Sequence, residues 1–291
     1  MGKTNIEWAE VVWNPVRGCS RTSPGCGGAT WTGKLALIPE TLELPMRWRK
    51  PRRVFVHSMS DLFRENLPDE AIDRVFAIMA LTPQHEYLVL TKRSDRMLEY
   101  MTGDRDGATT ADLIHDMQYR PGRYFGFVND PTRHLKKPHI IQRWPLPNVM
   151  LGVSVEDQQR ADERIPNLLA TPAARRFLSC EPLLSEVDLT HLYHAETLTD
   201  CLEGMSESNV VDAGDRYIAI NPKYTRHAKI DLVIVGGESG PRRRPVDPAW
   251  MRSIRDQCAS AGVPLFVKQI DKVMPIPDDL MIRQWPPQIA A

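Results

Sequence analysis

The sequence has no long hydrophobic run, and this absence excludes a helical membrane span. No apolar stretch approaches the roughly 18 residues that cross a bilayer as a helix. The segment Met1-Gly-Lys-Thr-Asn-Ile-Glu-Trp8 contains no hydrophobic signal region. Hydrophobic residues make up 42% of the 291 residues and charged residues 25%, a composition typical of soluble globular proteins. We therefore expect a cytoplasmic protein with no membrane contact.

The sequence also lacks net charge. Its 37 basic and 37 acidic side chains cancel, so no global field attracts the chain to nucleic acid. One segment mixes basic and aromatic residues in the way that single-stranded nucleic-acid sites do. It contains Tyr119, Arg120, Arg123, Tyr124, Phe125, Arg133, Lys136 and Lys137. A nucleic-acid or nucleotide partner is one interpretation of this segment, and a solvated excursion is the other.

Cysteine is scarce and irregularly spaced. Five cysteines in a chain of this size do not form a disulfide framework, so we expect reduced thiols. Cys19 and Cys26 lie in a glycine- and proline-bent loop after the first strand-like segment, where a cluster-bearing enzyme places its thiolates. A cubane iron-sulfur cluster with one open iron needs three thiolates. The third is missing, because Gly27-Gly28-Ala29 follows Cys26 and the next cysteine is Cys180.

Common nucleotide and metal motifs are absent as well. The chain has no dinucleotide fingerprint and no Gly-Lys-Ser/Thr phosphate loop, and its eight histidines lack the spacing of a zinc protease. We expect Cys258, on the apolar face of a predicted helix, to be a core thiol and Cys201 to be free. Cys180 closes a predicted strand and points either into a pocket or into the core.

A strand-helix unit recurs along the chain. Six aliphatic runs predict parallel strands that are buried on both faces. They are Val54–Ser58, Tyr87–Thr91, Val149–Ser154, Arg176–Cys180, Leu232–Gly236 and Pro264–Lys268. Helices are predicted from Pro68 onward and between Asp247-Pro248 and Gly262. With an opening strand near Glu10–Trp13, the pattern predicts an α/β fold with a complete or partial parallel (β/α) barrel. An open doubly wound sheet is the alternative.

Two polar stretches interrupt this repeat, at about residues 103–144 and 190–229. Neither continues the alternation of strand and helix that surrounds it. We therefore predict one barrel-like domain over residues 1–291, with these stretches as irregular insertions.

Charged residues follow the predicted strands. Active sites of (β/α) barrels lie at the carboxyl ends of the strands. The charged residues there are Asp61, Lys92, Arg93, Glu156, Glu181, Glu238 and Lys268. A charge at a half-buried position costs free energy unless it is paired or liganded. The charged residues at these strand ends therefore predict a polar ligand pocket. A structural layer of ion pairs is the alternative. The Gly236-Gly237-Glu238 turn either lets the backbone approach a ligand closely or is a tight turn without a ligand.

Many short motifs of the chain resemble those of one known family. They are Asn5-Ile-Glu-Trp8, Trp13-Asn-Pro15, Gly18-Cys19, Ser23-Pro-Gly-Cys26, Trp31-Thr-Gly-Lys34, Trp48-Arg-Lys-Pro-Arg52, Ser58-Met-Ser-Asp-Leu-Phe63, Leu90-Thr-Lys-Arg93, Gly152-Val-Ser-Val-Glu156, Ser179-Cys-Glu-Pro-Leu183, Val235-Gly-Gly-Glu-Ser-Gly240 and Phe266-Val-Lys-Gln269. Nearly end to end, the chain resembles the phage-associated three-cysteine family, a largely uncharacterised family regarded as similar to radical S-adenosylmethionine enzymes. In that family a third cysteine falls where this chain has Ala29, and the segment that follows is missing here.

The resemblance implies a 4Fe-4S cluster on Cys19 and Cys26, with S-adenosylmethionine as cofactor. It implies a radical-SAM-like barrel in which the cofactor and substrate are held by Ser154, Glu156, Glu181, Gly236, Gly237 and Glu238, with Lys92 and Lys268 as counter-charges. The first hypothesis is therefore a radical S-adenosylmethionine-like protein with an incomplete cluster loop and a nucleic acid or nucleotide as candidate substrate. Cys180 or a separately encoded partner protein could complete the site.

Two other hypotheses remain. The chain could be a non-catalytic barrel protein that binds a nucleotide-like ligand or a partner protein, and the missing cysteine favours this alternative. It could also be a cluster-free hydrolase that uses its carboxylates, although no histidine pattern supports such chemistry.

Overall fold

The protein divides into two compact units. A computed structural model describes residues 6–18, 20, 22–24, 26, 36–58, 60–105, 108–119, 144–214, 216–240 and 242–287. The first unit comprises Met1–Leu151, Thr171–Arg175 and Gln288–Ala291, and the second comprises Gly152–Ala170 and Arg176–Pro287. Within the described ranges, every helix is too short or too polar to span a bilayer.

Strands and helices alternate through most of the chain. The described strands are β1 (Val11–Trp13), β2 (Val16–Arg17), β3 (Ala36–Leu37), β4 (Arg53–Val56), β5 (Glu86–Thr91), β6 (Asp104–Arg105), β7 (Ala108–Thr109), β8 (Val149–Ser154), β9 (Arg175–Cys180), β10 (Leu192–His194), β11 (Thr197–Asp200), β12 (Met205–Asp212), β13 (Tyr217–Arg226), β14 (Leu232–Gly236) and β15 (Leu265–Gln269). The described helices are α1 (Pro39–Leu42), α2 (Asp69–Leu81), α3 (Ser94–Thr102), α4 (Thr110–Tyr119), α5 (Gln158–Ala170) and α6 (Pro248–Ala261), with 3-10 turns at Leu44–Arg47 and Asp278–Leu280.

Seven strands form one parallel sheet in the order β1-β4-β5-β8-β9-β14-β15. The six predicted strands and the opening strand are all present in it, so the predicted α/β class and the parallel sheet are confirmed. The strand order follows the chain without reversal, whereas a doubly wound sheet reverses its order at a switch point. This order is the one expected of a (β/α) barrel series, and closure into a barrel stays a prediction.

Burial on both faces explains why these strands are continuously apolar. In the first unit, the adjacent residues Tyr87 and Leu88 of β5 have no solvent exposure, although neighbours in a strand point to opposite faces. The strand β4 ends earlier than the predicted Ser58, because His57 adopts a left-handed backbone with φ of 62° that cannot continue a strand.

The two predicted helices are confirmed with their end signals. Helix α2 begins after Pro68 and carries two acidic residues in its first turn. The Asp247 side chain caps α6 by accepting a hydrogen bond from the Ala249 amide at 2.8 Å. Gly262 caps the carboxyl end of α6 and adopts a left-handed conformation with φ of 65°. Cys258 lies on the buried face of α6, as predicted.

The two predicted insertions differ in structure. The segment near residues 190–229 contains an antiparallel sheet of four strands, in the order β10-β11-β12-β13. The segment near residues 103–144 begins with the β6–β7 hairpin and α4. Its basic and aromatic residues from Arg120 to Lys137 lie outside the described residues, so the nucleic-acid interpretation of that segment stays a prediction.

Candidate functional site

Asp61 organises the carboxyl ends of β4 and β5 in the first unit. Its side chain is buried, and its Oδ1 atom accepts hydrogen bonds from Thr91 Oγ1 at 2.7 Å and the Phe63 amide at 3.0 Å. Its Oδ2 atom accepts from the Lys92 amide at 3.0 Å and from Arg93 Nη1 at 3.0 Å. The structure therefore brings together the predicted residues Asp61, Lys92 and Arg93, and the carboxylate holds the turn after β5 in place.

The turn after β5 also anchors the cysteine loop. Lys92 Nζ donates to Ser23 Oγ at 3.2 Å, and Arg93 Nη2 donates to Ser20 Oγ at 2.9 Å. Arg93 further bonds Glu65 Oε1 through its Nε atom at 2.8 Å. Because parallel strands end at the same edge of a sheet, these contacts place the described part of the cysteine loop where barrel enzymes have their active sites.

The thiol of Cys26 is buried but acidic. It is 6% exposed, and its sulfur lies 3.6 Å from Thr22 Oγ1 and 3.8 Å from Ser23 Oγ. Burial opposes ionisation, but hydrogen bonds from Thr22 and the charge of Lys92 outweigh it and lower the pKa from 9.0 to about 7. Cys19, the other predicted ligand, lies outside the described residues.

The lowered pKa of Cys26 predicts a specific alkylation profile. The thiolate is the nucleophile, so the rate of alkylation by iodoacetamide should reach half its plateau near pH 7 instead of near pH 9. Lys92→Met should raise the pKa of Cys26 and slow alkylation at pH 7, because the favourable charge is removed. Mass spectrometry of the Cys26 peptide measures both rates, and the buried thiol of Cys258 serves as an internal control. A midpoint that stays the same in Lys92→Met would contradict this account.

His57 is a polar group that the sequence did not single out as special. It is 3% exposed and follows β4 directly, and its Nε2 atom accepts a hydrogen bond from the Val16 amide at 3.2 Å. Burial lowers the pKa of His57 to about 3, so the ring is neutral and its Nδ1 atom carries the proton. Within the described residues this Nδ1 has no hydrogen-bond partner. The backbone of His57 is unusual in its positive φ of 62°, and the sequence does not predict this angle.

In the second unit, Glu156 forms a buried ion pair. Its Oε2 atom lies 2.7 Å from Arg164 Nη1, and the two side chains are 0% and 6% exposed. The same Nη1 also donates to the Ser154 carbonyl oxygen at 2.7 Å. The structure therefore brings the predicted residues Ser154 and Glu156 together around Arg164 of α5, which was not among the predicted site residues. The sequence signal for this pair was the position of Arg164, eight residues after Glu156 on the helix that follows the strand.

The other two predicted carboxylates of this unit also have cationic partners. Glu181 Oε1 accepts a hydrogen bond from Lys268 Nζ at 2.5 Å. Glu238 binds Arg244 through both carboxylate oxygens, at 2.9 and 3.1 Å, and these bonds lower the pKa of Glu238. Ion pairing of these carboxylates agrees with the structural alternative offered by the sequence, and ligand binding by them stays a prediction.

The two glycines after β14 occupy different environments. A Cβ atom on Gly237 would lie 2.0 Å from the Ile270 carbonyl oxygen and 2.6 Å from Val246 Cγ1, whereas one on Gly236 would meet its nearest atoms at an ordinary 3.5 Å. Gln269 Nε2 donates to the Gly237 carbonyl oxygen at 3.0 Å. Close packing against the chain itself therefore explains why glycine is required at 237.

The described residues do not complete a cluster site. Cys180 has no solvent exposure, and burial raises the pKa of its thiol far above the ordinary value, with Cys258 and Glu156 adding to the effect. It is a core thiol, which resolves the ambiguity left by the sequence. Over the described ranges, no three His, Cys, Asp or Glu side chains are grouped as metal ligands. Cys26 thus fits a thiolate ligand, but the set present does not fit a cubane.

Comparison with known proteins identifies a family match. The sequence model of a family described as "Protein of unknown function (DUF5131)" matches residues 3–278. No curated protein and no solved structure matches the chain significantly.

Proposed function

The chain belongs to the family described as Protein of unknown function (DUF5131), and we propose that it is a radical S-adenosylmethionine-like protein of phage type whose cluster loop is incomplete. In this proposal the loop around Cys19 and Cys26 is the remnant of a three-thiolate site. A cytoplasmic location and a nucleic acid or nucleotide as substrate are parts of the same proposal.

The position and the acidity of Cys26 carry this proposal. The loop is tied to the carboxyl end of β5 through Lys92 and Arg93, at the edge of the sheet where a barrel enzyme binds its substrate. A thiol with a pKa of about 7 is substantially ionised at neutral pH, as a cluster ligand must be. A cluster with S-adenosylmethionine would supply the radical chemistry, and the protein's own groups would orient the substrate.

The missing thiolate limits what this chain does alone. Cys180 is fully buried in the second unit and is a poor ligand. A separately encoded partner protein remains as a source for the third ligand. The protein therefore requires either such a partner or a restored cysteine before it holds a complete cluster.

One observation favours a second candidate function. Asp61, Glu156, Glu181 and Glu238 all form ion pairs with basic side chains of their own unit. Paired carboxylates stabilise a scaffold without taking part in chemistry, as expected of a non-catalytic protein that binds a nucleotide-like ligand or a partner protein. The two candidates differ in whether the loop forms a cluster once its third thiolate is present.

Anaerobic reconstitution distinguishes the two candidates. The chain and its Ala29→Cys variant are incubated with iron and sulfide, and bound iron and the visible spectrum are measured. We expect about four irons per Ala29→Cys chain, with broad absorbance in the blue, and far fewer irons in the unaltered chain. A further variant that also restores the segment after the third cysteine covers the case in which loop length limits binding.

Two controls make the iron count specific. Cys26→Ser in the Ala29→Cys background should abolish the cluster, whereas Cys258→Ser should leave it unchanged because that thiol lies on the buried face of α6. The absence of a cluster from every restored variant would overturn the radical proposal and leave the binding protein. A cluster that survives Cys26→Ser would show that the bound iron is adventitious.

A further inference from the structure

A cavity lies at the amino ends of the strands of the first unit, the ends opposite the cysteine loop. Its volume is about 420 Å³, within the range of roughly 300–1,000 Å³ that small-molecule sites occupy. Arg53 and Glu86, which begin β4 and β5, line it. A proline precedes each of three of its strands, at Pro51, Pro83 and Pro147. Proline restricts the backbone, so the entrance loops are preorganised.

Arginines dominate the charge of this cavity. Its charged lining consists of Arg52, Arg53, Arg175, Glu10 and Glu86. Glu86 lies between two of the arginines, with one oxygen 3.1 Å from Arg53 Nε and the other 3.9 Å from Arg175 Nη1. With three cations against two carboxylates, the cavity has an excess of positive charge. Guanidinium groups suit carboxylate and phosphate ligands, which they bind through two parallel hydrogen bonds.

Among the described residues, Arg52 forms no ion pair, in contrast to Arg53 and Arg175. Its guanidinium lies over the Trp48 ring, 5.8 Å from the centroid. Its Nε atom is buried and, within the described ranges, has no hydrogen-bond partner. A buried donor without a partner costs free energy, so such groups usually mark a bound water or ligand.

Two further lining residues have buried polar atoms without partners in the described part of the chain. The Asn148 amide nitrogen donates to the carbonyl oxygens of Met79 and His85, which fixes its Oδ1 atom as an acceptor. His85 Nε2 lies 3.1 Å from the Pro45 carbonyl oxygen and 3.3 Å from Gln84 Nε2, and its Nδ1 atom is buried without a partner. Burial, aided by the charge of Arg52, lowers the pKa of His85 and keeps the ring neutral.

We propose that this cavity binds a small oxyanion that carries hydroxyl or amino groups, with Arg52 facing the anion and Asn148 accepting from a donor group. A hydroxy acid and a sugar phosphate share this chemistry. The cavity is separate from the cysteine loop. Arg53 lines the cavity at the beginning of β4, whereas the loop is bonded to Lys92 and Arg93, which follow the other end of the neighbouring strand β5. The proposed site therefore stands whether or not the loop forms a cluster.

Titration calorimetry with matched probes tests the proposal. Malate is compared with succinate, and glycerol 3-phosphate with inorganic phosphate, so that each pair differs in its hydroxyl groups and the two pairs separate carboxylate from phosphate. We expect one probe per chain, with the hydroxylated member of at least one pair binding more tightly. Arg52→Met should weaken that binding at least tenfold, whereas Arg74→Met, an equal loss of charge on α2 away from the cavity, should not change it.

A second variant keeps the proposal testable if Arg52→Met fails to fold. Gln84 lines the cavity and is exposed, so Gln84→Glu adds negative charge with little effect on packing and should also weaken binding. Circular dichroism confirms that each variant is folded. The proposal is overturned if no probe binds at millimolar concentration, if bare anions bind as tightly as hydroxylated ones, or if Arg52→Met and Gln84→Glu bind like the unaltered chain.

Discussion

Replacing Arg164 with methionine is expected to lower the free energy of unfolding by about 3–5 kcal/mol. The substitution removes the guanidinium that neutralises Glu156, a carboxylate with no solvent exposure. It also removes the hydrogen bond to the Ser154 carbonyl oxygen. A buried charge that loses its partner keeps its desolvation cost and loses the attraction that offset it. Urea unfolding followed by circular dichroism measures the difference.

Two variants show whether charge is the cause. Arg160→Met, on the same helix α5, breaks a pair with the half-exposed Glu163 and should cost only about 0–1 kcal/mol. Adding Glu156→Gln to Arg164→Met should restore part of the lost stability, because the buried negative charge is then gone. If Arg164→Met were no less stable than Arg160→Met, the Glu156–Arg164 ion pair would contribute little to the stability of the fold.

Gly237→Ala is expected to destabilise the protein by about 3 kcal/mol, at the upper end for overpacking. The new methyl group would lie 2.0 Å from the Ile270 carbonyl oxygen, and a backbone atom cannot move aside by changing its rotamer. The strain would fall next to the hydrogen bond between the Gly237 amide and the Gln269 carbonyl oxygen. Thermal and urea unfolding should both show the loss.

Gly236→Ala is the matched control for that substitution. A methyl group there would meet Glu181 and the Gln269 carbonyl oxygen at 3.5 Å, which is ordinary van der Waals contact. We expect this variant to unfold close to the parent chain. Equal stability of the two alanine variants would contradict the packing explanation for the glycine at 237.

The strands were predictable because their signal is local. Residues buried on both faces must be apolar throughout, so runs such as Leu232–Gly236 identify strands without knowledge of their neighbours. Helix α6 was predictable for a similar reason, since Asp247 and Gly262 are end signals within the helix's own segment. The end of β4 was not, because the positive φ of His57 has no signature in the sequence.

The candidate site was predictable only in part. The carboxyl ends of the strands identified four carboxylates and three basic residues as charged positions, but not which of them pair, and Arg164 and Arg244 were missed. Lys268 lies 87 residues after the carboxylate that it binds. Pairing at that separation depends on which strands become neighbours. Cys180 could not be assigned to the core or to a pocket for the same reason.

The amino-acid sequence by itself determined the α/β class, the order of the strands along the chain, the caps of α6 and the loop with two cysteines where three would be needed. Only the tertiary structure decided that the predicted charged residues are paired, that Cys180 lies in the core, and that arginines from separate segments line a cavity at the amino ends of the strands. The physical reason is the sequence distance over which each feature is determined. Hydrophobic periodicity and helix end signals act within one segment. Ion pairs and cavities form between distant segments that only the completed fold brings together.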